Sequence, residues 1–184
     1  MCDCVGGSGR GPEWPAPSSF ATGPTTQQES ELKNAKIRDL MTPEVQTLTA
    51  EDNLAEAARR LWDHDCGVIP VVDEELRVKA TVTDRDICMA GFTKNRPLSE
   101  LPISVAMSRT VYTCRPDDST SEALRIMAER KVRRLPVTDE DGRIQGIISM
   151  NDLARAADGG WIDGKRVVAT LAEICRPKPV ESRA

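Results

Sequence analysis

Apolar residues at Leu54, Ala57, Ala58, Leu61 and Trp62 recur at the i, i+3, i+4, i+7, i+8 spacing of a helix with one buried face. Ala123, Leu124, Met127 and Ala128 follow the same rule, so a second amphipathic helix is predicted further along. Both open on a capping-box spacing, Asn53 with Glu56 and Ser119 with Glu122, in which side chain and backbone at a helix start satisfy each other's donors. Behind each helix comes strand, acidic turn, strand: GVIPVVDEELRVKATVT and RRLPVTDEDGRIQGIIS. Asp141-Gly142 is a hairpin signal in the second stretch, whereas Glu75-Leu76 in the first requires a different turn. A further helix follows each hairpin.

The two blocks are copies. At a constant shift of 66 residues, Ile37 aligns with Ile103, Met41 with Met107, Thr47 with Thr113, Glu56 with Glu122, Pro70 with Pro136, Asp73 with Asp139, Arg77 with Arg143 and Asp86 with Asp152. Each copy reads as extended segment, helix, strand, strand, helix, and one copy alone could not cover both faces of its small sheet. Packed sheet against sheet, two copies can share one core, which makes an α/β (α+β) fold the expectation. The first repeat with its linker spans 34–100 and the second 101–157. Residues 1–33, rich in Gly, Pro, Ser, Thr and Gln without an apolar period, read as disordered. In the remaining 158–184, Val167, Val168, Leu171 and Ile174 predict a short helix ending before Pro177.

Composition narrows the function classes. A chain of 184 residues is too short for a catalytic barrel plus a regulatory module. A net charge of −4 supplies no global basic field for nucleic acid or anionic lipid, so any anion must be held by local groups. No run of 18 apolar residues and no signal-peptide pattern occur, so no membrane span and a cytoplasmic location are expected. Six irregularly spaced cysteines match neither a disulfide framework nor a zinc ribbon, and with His64 as the single histidine the Cys2-x-Cys4 pair is not expected to hold metal. Enzymatic activity is not expected either: one histidine, no G-x-x-x-x-G-K-[ST] loop and no carboxylate pair on a catalytic scaffold.

The openings IRDLMTPEV and ISVAMSRTV, the strands VIPVVDE and RRLPVTDE, and the turns VTDRDI and ISMNDL occur in order and twice. In this the chain resembles the CBS domain pair, or Bateman module, over about residues 36 to 157. The resemblance implies two βαββα lobes related by pseudo-twofold symmetry and assembly into a homodimer. It implies no catalytic cofactor but an adenosine-containing effector, AMP, ADP, ATP or S-adenosylmethionine, bound in clefts between the lobes. A stand-alone sensor acting on an unidentified regulated protein is the implied role.

The turn in GIISMND, and its copy in ATVTDRD, can serve as cap or site. Ser149-x-x-Asp152 and Thr83-x-x-Asp86 are capping-box-like, yet a strand-to-helix turn also offers free amides and a positive dipole end to phosphate. By the resemblance, Asp152 holds ribose, Ser149 and Asn151 contact phosphate and Ile147 lines adenine in the second-repeat cleft. The first-repeat cleft takes Asp86, Thr83 and Thr81, with Arg85 near the phosphates; Val45, Thr47, Val111 and Tyr112 form the opposite walls. Arg133 and Arg134 precede the strand bordering the site and are expected to bind phosphate, where the first copy has Gly67 and Val68. Ala80 stands where Gly146 does, and its methyl is expected to crowd a ligand in the first cleft, which ranks the Asp152 site higher. The alternative function is a scaffold or dimerisation module with vestigial clefts.

Overall fold

The computed structural model of the protein describes residues 35–108 and 110–177; the N-terminal stretch with Cys2, Cys4, Trp14 and Phe20 lies outside them. A single turn, α1 (Ile37–Leu40), leads to α2 (Leu54–Asp63), the hairpin β1 (Ile69–Val72) and β2 (Val78–Val82), and α3 (Asp84–Lys94). After two 3-10 turns, Leu98–Glu100 and Ile103–Val105, the order repeats as α4 (Thr120–Arg130), β3 (Arg134–Thr138), β4 (Ile144–Ser149) and α5 (Met150–Asp158). One more helix, α6 (Gly164–Cys175), closes the described chain.

Each hairpin gains a third, parallel edge from the extended segment that opens its copy. Leu48 donates to the Pro70 carbonyl at 2.9 Å and receives Val72 N–H at 2.8 Å, and Cys114 makes the same two bonds with Pro136 and Thr138. The residues before these segments cross over. Thr42 exchanges both backbone bonds with Ile147 at 2.9 Å, and Ile37 and Arg38 donate to Asp118 and Pro116, so α1 is built into the second lobe. Reciprocally, Ile103 donates to Asp52, Leu54 to Leu101, and Ser108 to Thr81. The tandem βαββα units are therefore laced together by exchanged openings. A four-residue helix has too few hydrogen bonds to stand alone, and Ile37, fully buried, is held by the lobe that covers it.

The shared core expected from the pattern is instead two. Leu48, Leu54, Ile69, Val82, Ile87 and Ile103 belong to one buried cluster, and Ile37, Met127, Leu135, Ile148 and Leu153 to the other. The hairpin tips join the lobes: Val78 donates to Gly142 and Ile144 to Leu76, each at 3.0 Å. The two tips also use the same turn, against the expectation of different ones. Asp73 Oδ1 accepts from Glu75 and Arg77 N–H as Asp139 Oδ1 does from Asp141 and Arg143. Leu76 is held at φ 63° where Gly142 has φ 81°, because these aspartate bonds and the Ile144 bond dictate the conformation in spite of its side chain.

Gly146 stands where a side chain would meet the exchanged opening, a constraint the fold itself imposes. A Cβ at Gly146 would lie 2.7 Å from the Thr42 carbonyl oxygen and 2.9 Å from Met41 Sδ, so glycine there admits the exchanged opening. Ala80 is buried in the first core, which corrects the expectation that its methyl crowds a cleft.

Candidate functional site

Both strand-to-helix turns are complete capping boxes. Ser149 Oγ accepts from Asp152 N–H at 3.3 Å and donates to Asp152 Oδ2 at 2.6 Å, and the same carboxylate oxygen takes Ser149 N–H at 2.9 Å. Thr83 and Asp86 repeat this at 3.2, 2.6 and 3.1 Å. Asp152 is 6% exposed and its Oδ1 faces Arg155 at 2.5 Å. At α2 and α4 only half of each expected box forms. Asn53 and Ser119 accept from Glu56 and Glu122 N–H, but those carboxylates turn to Arg59, Arg60 and Arg125 one turn on. The guanidinium hydrogen bonds of Arg59 and Arg60 hold the Glu56 carboxyl down at about 2.

The turns border two clefts between the lobes, of about 500 and 520 Å³. The second-repeat turn contributes Ile147, Ser149, Asn151 and Asp152 to one, with Val45 on the facing wall. The first-repeat turn contributes Thr81, Thr83 and Arg85 to the other, faced by Val111 and Tyr112. Asp86 and Thr47 line neither: Asp86 faces back into its cap, and the Thr47 carbonyl accepts from Arg60.

The basic residues divide in a way the chain order does not suggest. Arg133, expected beside Asp152, lines the opposite cleft, that of Thr81 and Thr83, together with Lys131. Arg134 lines both clefts, its guanidinium lying across Gly67, where an added Cβ would be 2.6 Å from Nη2. The reason is the pseudo-twofold: the segment after each amphipathic helix faces the turn of the other copy, so 131–134 meet Thr83 and 64–68 meet Ser149. Lys131 caps α4, and Asp65 follows the His64 cap of α2; both lie in the left-handed region, at φ 54° and 46°, and turn the chain into the clefts.

Several lining residues escape a motif-based reading. Ile174 and Arg176 come from beyond the repeats, and Glu44, Gln46, His64 and Asp65 have no individual signal. Their common mark is position next to predicted element ends. Burial pushes the Cys114 thiol up to about 12 and raises that of Cys66, whereas Cys88 and Cys175 are exposed. Among the described residues no group of three or more His, Cys, Asp or Glu could hold a metal ion, and no helix is long and apolar enough to cross a membrane.

The model of the CBS domain matches residues 37–92 and 99–159. The uncharacterised protein YlbB of Bacillus subtilis is 39% identical over 120 residues, 65% of this chain and 80% of its own. The crystal structure of the CBS domain pair of protein MJ0100, in complex with 5-methylthioadenosine and S-adenosyl-L-methionine, aligns with TM-score 0.60 at 25% identity, covering 66% of this chain and 98% of that one. CBSX2 in complex with AMP aligns with TM-score 0.59 at 26% identity, covering 66% and 95%. Matched twice along its length and in the order its repeats run, this chain belongs to the CBS domain family of regulatory, non-catalytic modules, as a tandem pair.

Proposed function

We propose that this CBS pair is a regulatory module whose inter-lobe clefts receive adenosine-containing effectors, adenine nucleotides foremost and S-adenosylmethionine as the further candidate. The observation that carries the reading is the pair of clefts of nearly equal size, each bordered by a capped helix start. Cavities of a few hundred cubic ångströms suit a nucleoside-sized ligand, and helix starts suit its phosphates. The adenosyl compounds in MJ0100 and the AMP in CBSX2 support the same class. Each cleft is walled by both copies, so a ligand that favours one relative pose of the lobes shifts the population toward it.

The reading includes a homodimer. Trp62 and Phe92, 87% and 80% exposed on α2 and α3, leave an apolar face that a second copy of the chain can cover, since α6 occupies the corresponding face of the second lobe. Light scattering should give twice the chain mass, reduced by Trp62→Glu.

Thermal melting of the full chain with AMP, ATP, S-adenosylmethionine or no ligand tests the effector. Binding to the folded state raises Tm by mass action, about 2.7 kcal/mol at a hundredfold excess over Kd. No shift with any of the three sinks the proposal and leaves a scaffold with vestigial clefts.

A further inference from the structure

We infer that the two clefts take chemically different ligands: a phosphate-bearing adenine nucleotide in the one walled by Thr81 and Arg133, and a phosphate-free adenosine compound in the one walled by Ser149 and Asp152. The same geometry makes Arg176, at the end of α6, part of the phosphate site. This rests on the adenosyl-binding reading above and assigns the ligand class of each cleft.

Charge divides the clefts. Arg85, Lys131, Arg133, Arg134 and Arg176 line the first, against Asp84 as its one carboxylate. Arg134 and Arg155 line the second, against Glu44, Asp65 and Asp152, and Arg155 is already paired to Asp152. The backbone frame is nearly the same in both; the sign of the field is not.

Most cations of the first cleft have no carboxylate partner among the described residues. Among the described residues, Arg85, Lys131, Arg133 and Arg134 have no carboxylate within 4.0 Å, and only Arg176 is paired, to Glu173 at 3.0 Å. Elsewhere on the same surface arginines are clasped: Arg59 between Glu56 and Asp63, Arg125 between Glu122 and Glu129. Three of the first cleft's cations, Arg85, Lys131 and Arg133, belong to it alone and repel one another there, with Arg134 shared between the clefts, in a chain whose net charge is −4. A polyphosphate removes that repulsion, and guanidinium groups match its oxygens with charge-assisted bonds. In the second cleft a phosphate would meet Glu44, Asp65 and Asp152 against the single guanidinium there that is unpaired among the described residues, that of Arg134. A ligand without phosphate avoids this, and one that is cationic at sulfur is favoured by it.

Helix α6 lies outside both matched repeats, yet it forms a wall of the first cleft. Asp163 caps its start by accepting from Lys165 N–H, and Val167 and Thr170 are buried where it packs on α4 and α5. Its far end carries Ile174 and Arg176 into the cleft. There Lys131 Nζ donates to the Arg176 carbonyl at 3.3 Å and Arg133 Nη2 to Cys175 Sγ at 3.8 Å. Both donors are cations that a phosphate would recruit, so nucleotide binding competes for the bonds that hold the end of α6.

Isothermal titration of the full-length chain with ATP and with S-adenosylmethionine decides the matter. ATP should still bind, one per chain, when S-adenosylmethionine is saturating. Arg133→Ala should weaken ATP by about tenfold and Arg176→Ala by about threefold, both leaving S-adenosylmethionine within about twofold, and Asp152→Asn should show the reverse preference. Mutual displacement of the two ligands, or ATP binding that depends on Asp152 and ignores Arg133, overturns the division of the clefts while adenosyl binding survives. Failure of both ligands to bind the folded chain overturns the adenosyl reading itself. The displacement arm uses unaltered protein, so a poorly folded variant cannot mask the answer.

Discussion

Val68 and Arg134 occupy equivalent positions in the two copies and both line both clefts, yet one brings an aliphatic side chain and the other a guanidinium. The next equivalents diverge in the same sense, Gly67 against Arg133 and Asp65 against Lys131. Duplication has kept the backbone frame, with matched turns, caps and hairpin tips, while side chains at the cleft edges separated. Because the segment after each helix faces the other copy's turn, the basic residues of the second copy serve the cleft of the first. A charge cluster in a duplicated domain is therefore assigned to a site by the symmetry of packing, not by its nearest motif.

The strongest way to break the likeness of the lobes is through their cores. Ile69→Ala and Leu135→Ala remove equivalent, fully buried side chains from separate clusters, and each should cost about 2–5 kcal/mol. Urea titration of either variant should nevertheless show one transition, since the exchanged openings tie each lobe to the other. Two resolved transitions would mean that the lobes unfold independently.

Next comes the position at which the copies differ in the middle of a strand. Gly146→Ala should lose about 1–3 kcal/mol, because its methyl would meet the Thr42 carbonyl. Ala80→Gly should lose about 1–2 kcal/mol, from chain entropy and from the buried methyl it removes from the first core. An unaffected midpoint for Gly146→Ala would show that the opening segment shifts freely. The caps should behave alike: Ser149→Ala and Thr83→Ala each lower stability by about 0.5–2 kcal/mol, although the clefts beside them differ in charge.

Smaller effects belong to the hairpin tips and to α2. Leu76→Gly relieves a left-handed leucine, worth about 1–2 kcal/mol, at an entropic cost of about 0.5–1 kcal/mol, so Tm should rise slightly. A fall in Tm would mean that the leucine side chain does more at the tip than its half-exposed position suggests. At α2 the Glu56 carboxyl is held below its unfolded value of 4.5, at about 2. Its contribution is therefore present above about pH 4.5 and is lost as pH falls toward about 2. Glu56→Gln should flatten the decline of Tm with acidification across that window, and an unchanged slope would deny the Arg59 and Arg60 pairing a role in solution.

The repeat, both amphipathic helices, both hairpins and the cap-forming turns were legible in the sequence because each rests on contacts a few residues apart. Leu54, Ala57 and Leu61 bury one helical face wherever that helix packs, and Ser149 reaches Asp152 within a single turn. Of the candidate residues, Ile147, Ser149, Asn151, Asp152 and Val45 come together in one cleft, and Thr81, Thr83, Arg85, Val111 and Tyr112 in the other. Arg133 was identifiable as a basic residue next to a site, but its partners were not. Nothing local to KVRRLPV says which turn it will face.

What the sequence alone determined is thus the content of each lobe: periodicity, caps, turn acids and the doubling of all three. What only the tertiary structure decided is everything that crosses between lobes. Ile37 is apolar in any reading, but its burial in the second lobe follows from Ile37 and Arg38 bonding to Asp118 and Pro116, some 80 residues on. Leu76 adopts the turn of a glycine because Asp73 and Ile144 hold its backbone there. Arg133 and Lys131 share a cleft with Thr83 because the two copies pack so that the segment after each helix faces the other copy's turn, and long-range packing of that kind leaves no imprint on the spacing of residues within either copy.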